Sequence, residues 1–87
     1  MKLRTIYINQ EGYYSIGVDE ETGTYVLDVV MTGIAWYSRL FRLTKEEFEE
    51  YPKNRAMIDR LAQSCTGTDG IENNRDRFIS SGLAAEN

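Results

Sequence analysis

Residues 13 to 31 constrain this chain most, because two stretches of alternating apolar and polar side chains flank a segment made of turn formers. In the first, Tyr13 to Val18, the residues Tyr14, Ile16 and Val18 alternate with Tyr13, Ser15 and Gly17. Successive side chains of a strand point to opposite faces, so this period of two predicts a strand with one buried and one wet face. In the second, Thr24 to Thr32, Tyr25, Leu27, Val29 and Met31 share one face and Val26, Asp28 and Val30 the other. Asp28 marks that second face as at least partly solvated. Between them, "DEETG" (Asp19 to Gly23) ends on the residue that adopts positive φ most readily. The pair therefore reads as an antiparallel hairpin closed by a type I turn and a glycine bulge.

The pattern continues on both sides. Upstream, "LRTIYI" (Leu3 to Ile8) is rich in strand formers and places Leu3, Thr5 and Tyr7 opposite Arg4, Ile6 and Ile8, before a turn at "NQEG". Downstream, Thr32 and Gly33 connect to a fourth strand, "IAWYSRLFRL" (Ile34 to Leu43). Ala35, Tyr37, Arg39, Phe41 and Leu43 share one parity there, and Ile34, Trp36 and Leu40 the other. With bulk on both faces, either a bulge shifts the phase or one face is covered and the other binds something.

The acids of "LTKEEFEEYP" have a local explanation. Thr44 is a good N-cap, Glu47 three residues later completes a capping box, and Leu43 and Phe48 are placed as a hydrophobic staple. Glu46 and Glu47 fall in the first turn, where the helix dipole favours negative charge. Pro52 should break the helix, and "NRAMIDRLAQSC" resumes it with Met57, Ile58, Leu61, Ala62 and Cys65 at helical spacing, stopping at Gly67. Beyond Thr66 the chain reads as a loop, then a short edge strand from Arg77 to Ser80, with residues 81–87 frayed. The expectation is one α+β domain over residues 1–87: an antiparallel four-stranded meander, a helical segment packed on one face, and a short C-terminal strand.

Most enzyme classes lack their residues here. The 87-residue chain has no histidine, which removes Ser-His-Asp and Cys-His pairs and the usual zinc spacings. Its one cysteine, Cys65, has no base and reads as a small apolar residue on a helix face, in keeping with a reducing compartment. The seven glycines form no phosphate loop. "TGTDGIENN" offers Asp69, Glu72, Asn73 and Asn74, but without the spacing of a calcium loop. Arg75 and Arg77, flanking Asp76, read as a surface ion-pair cluster rather than an anion clamp. An acid–base enzyme built from Tyr, Arg, Asp and Glu would converge only in space, so spacing leaves it open. No cofactor or metal is expected. Apolar runs no longer than Val29–Met31 and the absence of a continuous leader segment point to no membrane span and a cytoplasmic address.

What remains is charge and rings. The net charge of −4 disfavours binding to a phosphate backbone and favours a basic partner. Residues 9 to 35 carry Glu11, Asp19, Glu20, Glu21 and Asp28 and no Lys or Arg. Tyr7, Tyr13, Tyr14, Tyr25, Trp36 and Tyr37 all fall in the predicted strands, more rings than one core face is expected to hold, so some should be exposed as interface anchors.

The runs "GYYSIGVDEETGTYVLDVVM" and "AWYSRLFRLTKEEFEEYPKN" resemble small bacterial immunity proteins that accompany polymorphic or contact-dependent toxins. The likeness lies in paired tyrosines, a "DEETG"-like hairpin, a second apolar strand and an "LT.EEF" helix start, over about residues 12 to 65. It implies a non-enzymatic inhibitor of one cognate toxin, and such toxins are commonly basic, which suits an acidic binder. The expected partner-binding surface comprises Tyr13, Asp19, Glu20, Glu21, Asp28 and Trp36, with no direct nucleic-acid contact. Two rivals stand beside it: a phage or mobile-element inhibitor mimicking nucleic acid, and a homo-oligomeric interaction module.

Overall fold

A computed structural model of the protein describes residues 1–32 and 37–83. The hairpin at its centre forms as the alternation requires: β2 (Tyr14–Asp19) pairs antiparallel with β3 (Tyr25–Met31), Ile16 opposite Leu27. Gly23 closes the turn at φ 78°, its N–H donating to the Asp19 carbonyl at 2.7 Å. β1 (Leu3–Asn9) flanks β2, and β4 (Tyr37–Leu43) flanks β3. The helices α1 (Lys45–Glu50), α2 (Arg55–Ser64) and α3 (Gly70–Asn73) follow, and the chain returns as β5 (Phe78–Leu83) beside β4. The result is a five-stranded antiparallel sheet in sequence order with the helices inserted before its last strand.

Several expectations need correction. The turn after β1 runs through Tyr13, which sits at φ 57°, so β2 begins one residue late; the Asn9 side chain accepts the Gly12 N–H at 2.9 Å. β1 does not alternate cleanly. Its register slips between Thr5 and Tyr7, so Thr5 faces Gly17 and Tyr7 faces Ile16, which turns Tyr7 away from Leu3 and Thr5 and into the core. Gly70–Asn73 is a short helix inside the segment read as loop, and β5 extends through residues expected to fray. The outer part of the fourth strand, Ile34 to Trp36, lies outside the described residues.

One face of the sheet makes the core. Tyr14 and Ile16, Leu27 and Val29, and Phe41 and Leu43 pack against Tyr51, Ile58, Ala62 and Cys65, all buried. This face holds more rings than expected because α1 adds a second aromatic layer. Tyr25 stacks on Phe48 with centroids 4.2 Å apart, and Tyr7 lies 5.1 Å from Tyr51 and 5.9 Å from Phe48. Tyr13 is therefore the one ring among the described sheet tyrosines left mostly outside, 53% exposed.

Polar contacts fix how the helices sit. The Thr44 hydroxyl accepts the Glu47 N–H at 3.1 Å and the Glu47 carboxylate accepts the Thr44 N–H at 2.8 Å, the capping box read from sequence. The same carboxylate takes the Arg77 guanidinium through both oxygens at 2.7 Å, tying α1 to the start of β5. Arg39, buried on the core face, donates through Nη1 to the carbonyls of Cys65 at 2.9 Å and Gly67 at 2.8 Å. A cation thus meets the end of α2, where the dipole is negative and carbonyls lack helical partners.

Arg77 beside Glu47 holds the Glu47 carboxyl below its usual range. A depressed folded pKa stabilises the fold above the unfolded value of 4.5, and that contribution is lost as pH falls through the folded pKa. Glu47→Gln should therefore destabilise by about 1.5–3 kcal/mol at neutral pH, as for a charge-assisted hydrogen bond. In urea denaturation the gap to the unaltered protein should narrow as pH falls below 4.5; a gap that stays equal from pH 7 into that acidic range would contradict this.

Candidate functional site

The second face of the sheet is built from the opposite parity, and the register aligns it into rows. One row crosses all five strands: Ile8 faces Ser15, Ser15 faces Asp28, Asp28 faces Leu40, and Leu40 faces Ser80. Asp28 occupies its middle. On either side lies a depression, and Asp28 and Ser38 line both. The larger, of about 450 Å³, is walled by Thr5, Ile8, Tyr13 and Val30, and the smaller, of about 200 Å³, by Met1, Leu3, Leu40 and the Ser80–Gly82 segment. None of the described helices contributes a residue to either.

The face is apolar at its rim and charged at its centre. Ile8 is 70% exposed, and Leu3, Val30 and Leu40 are half-buried. Val26, between Gly17 and Arg42 in register, is fully buried. Asp28 is half-buried, and its Oδ1 is shut from solvent with no hydrogen-bond partner among the described residues. Burial pushes its carboxyl above the ordinary range, and the Ser38 hydroxyl, which bonds it, offsets only part of that effect. An ionised carboxylate so placed is expensive to keep without a countercharge.

The residues expected to form one binding surface divide. Tyr13 and Asp28 line the same depression. Asp19 is 5% exposed and serves the fold: its carboxylate accepts the N–H groups of Lys2 at 3.2 Å and Glu21 at 3.0 Å and the Thr22 hydroxyl at 2.9 Å. It stands four residues along β2 from Ser15, about 13 Å at the rise of a strand. Glu20 pairs with Arg4 at 3.1 Å, and Glu21 with the N-terminal ammonium at 3.2 Å. Trp36 lies outside the described residues. Sequence reading missed Ile8, Ser38 and Leu40 as members; the β1 bulge hid Ile8, and the other two carried only their parity in β4.

Elsewhere several ionisable groups are engaged within the fold. The Tyr14 hydroxyl donates to Asp59 at 2.5 Å, the Asn9 amide donates to Asp59 at 3.3 Å and to Tyr14 at 3.1 Å, and the Tyr51 hydroxyl lies 3.2 Å from Tyr14. Burial, then the bond to Asp59, pushes the Tyr14 phenol far up, out of reach of proton transfer near neutral pH. Burial likewise raises the Cys65 thiol to about 11, so it is a packed side chain and a poor nucleophile. Arg75 pairs with Glu72 and Arg77 with Glu47, so the two guanidinium groups do not converge. Asn74 turns inward and donates to the carbonyls of Ser64 and Gly70.

Among the described residues no three Cys, Asp or Glu side chains meet as a metal site, and no helix is long and apolar enough to cross a membrane. Comparison with protein-family models, curated proteins and solved structures returns no match.

A carboxyl whose folded pKa is raised adds stability below its unfolded value, here 3.8, and loses it as pH rises through the folded pKa. Asp28→Asn should thus equal or exceed the unaltered protein in stability at pH 7 and match it near pH 3. Urea denaturation at the two values decides; a marked loss at pH 7 would assign Asp28 a structural role.

Proposed function

We propose that the protein is a non-enzymatic binding module that receives a protein partner on the uncovered sheet face, most concretely an immunity-type inhibitor of a basic toxin. The observation that carries this reading is the face itself: an apolar rim and two depressions around a carboxylate with one oxygen unpartnered among the described residues. A folded monomer gains nothing from such a surface, and exposed apolar patches of this kind are where proteins associate. The acidic balance adds the direction of attraction, since a net charge of −4 draws a basic partner and slows an acidic one.

The hairpin acids play a smaller part than their sequence run suggests. Glu20 and Glu21 are each paired with a cation of the same chain. Such exposed pairs are weak, but they reduce the free charge at the turn and count against a surface of phosphate-like acids mimicking nucleic acid. A homodimer through this face is disfavoured too, because a two-fold contact would set one concave, carboxylate-centred surface against its copy.

The reading is tested by affinity capture from the source cell with four baits. The unaltered protein should retain one basic partner. Ile8→Glu, at a 70%-exposed position, should fold normally and lose it. Tyr13→Gly keeps the left-handed backbone accessible at that position and removes the ring from the larger depression, so it should weaken capture. Full capture by both variants, with loss on reversing Glu20 and Glu21 to lysine, would move the site to the hairpin and overturn the assignment.

A further inference from the structure

We infer that Asp28 is the receptor for a cationic side chain, a lysine or arginine, that the partner inserts into the uncovered sheet face. This rests on the reading of that face as the docking surface and specifies what it takes. Asp28 stands in the centre of the sheet, and among the described residues it takes part in no ion pair. Its Oδ1 has no hydrogen-bond partner among the described residues, and neither depression beside it is lined by a lysine or arginine. The Met1 ammonium, on the wall of the smaller depression, is held by Glu21 at 3.2 Å, and Arg42, which shares the face one register pair away beside Val26, lines neither depression. From residue 9 to residue 32 the sequence contains no basic residue at all.

The surroundings select the occupant further. A bare ammonium or metal ion would need several oxygen ligands, and among the described residues no group of three Cys, Asp or Glu side chains forms a metal site. The walls are instead Ile8 and Val30 on one side and Leu3 and Leu40 on the other. Lysine and arginine carry an aliphatic stem that packs on such walls while the charged head reaches a polar group at the end. Tyr13 lines the larger depression, and a phenol ring is a further attractor for a cation.

Side-chain mimics test this without knowing the partner. The ¹⁵N-labelled protein is titrated in the millimolar range with n-butylammonium chloride, n-butylguanidinium chloride and neutral n-butanol, and amide shifts are followed. Both cations should give saturable shifts centred on Asp28, Ser38, Val30 and Leu40. They should bind at least about tenfold more tightly than butanol, as a charge-assisted contact predicts. In Asp28→Asn the three probes should bind alike. Equal binding of cations and butanol to the unaltered protein would overturn the inference and leave the docking face standing, a comparison that requires no variant. Shifts from none of the probes on this face would sink both readings. Shifts of the same residues with protein concentration alone would make the occupant a second copy and overturn the inference as well.

Discussion

The packing of Phe48 and Tyr51 between the tyrosines of β1, β2 and β3 decides which face of the sheet is covered, and therefore which is left open. The ring contacts of Tyr7 and Tyr25 with Phe48 and Tyr51 lie on the covered side of the sheet. Once α1 is seated by those rings, α2 must follow with Ile58, Ala62 and Cys65 over Phe41, Leu27 and Ile16. No described helix contributes a residue to the depressions on the other face. An antiparallel sheet tolerates this, because one of its faces can meet water or a partner.

The polar groups on the two faces obey opposite rules. On the covered face each buried polar side chain is engaged. Arg39 closes the end of α2, Tyr14 and Asn9 meet Asp59, and Glu47 joins its own helix start to Arg77. These bonds orient the helices with a specificity that ring packing alone lacks. Only the Arg39 Nε is left over there, on a guanidinium already bonded to two carbonyls. On the open face the central carboxylate has Ser38 and one idle oxygen. The contrast separates groups that hold the fold from a group that the fold merely holds.

Much of this was legible in the sequence where the signal is local. The period of two in β2 and β3, the Gly23 turn, the Thr44–Glu47 capping box and the break at Pro52 each follow from residues within one turn or one strand of each other. What was hidden depends on distant parts of the chain. "LRTIYI" alternates without a glycine, so nothing announces the bulge that sends Tyr7 inward and leaves Ile8 out. Of the rings expected outside, Tyr13 is 53% exposed, whereas Tyr7, Tyr14 and Tyr25 turn inward because Phe48 and Tyr51 arrive to share the covered face. Gly70 reads as loop punctuation, whereas it is needed where a Cβ would lie 2.1 Å from the Cys65 carbonyl oxygen. Parity assigned Asp28 to the open face correctly, but its lack of a partner is a property of five strands together.

Methyl cross-saturation in the complex with the captured partner bears on the docking assignment at the level of single side chains. Irradiating the partner should attenuate the methyl signals of Ile8, Val30 and Leu40, which surround Asp28, and spare those of Ile58 beneath α2. Untouched methyls at Ile8, Val30 and Leu40, with attenuation confined to the amides of Glu20 and Glu21, would contradict it.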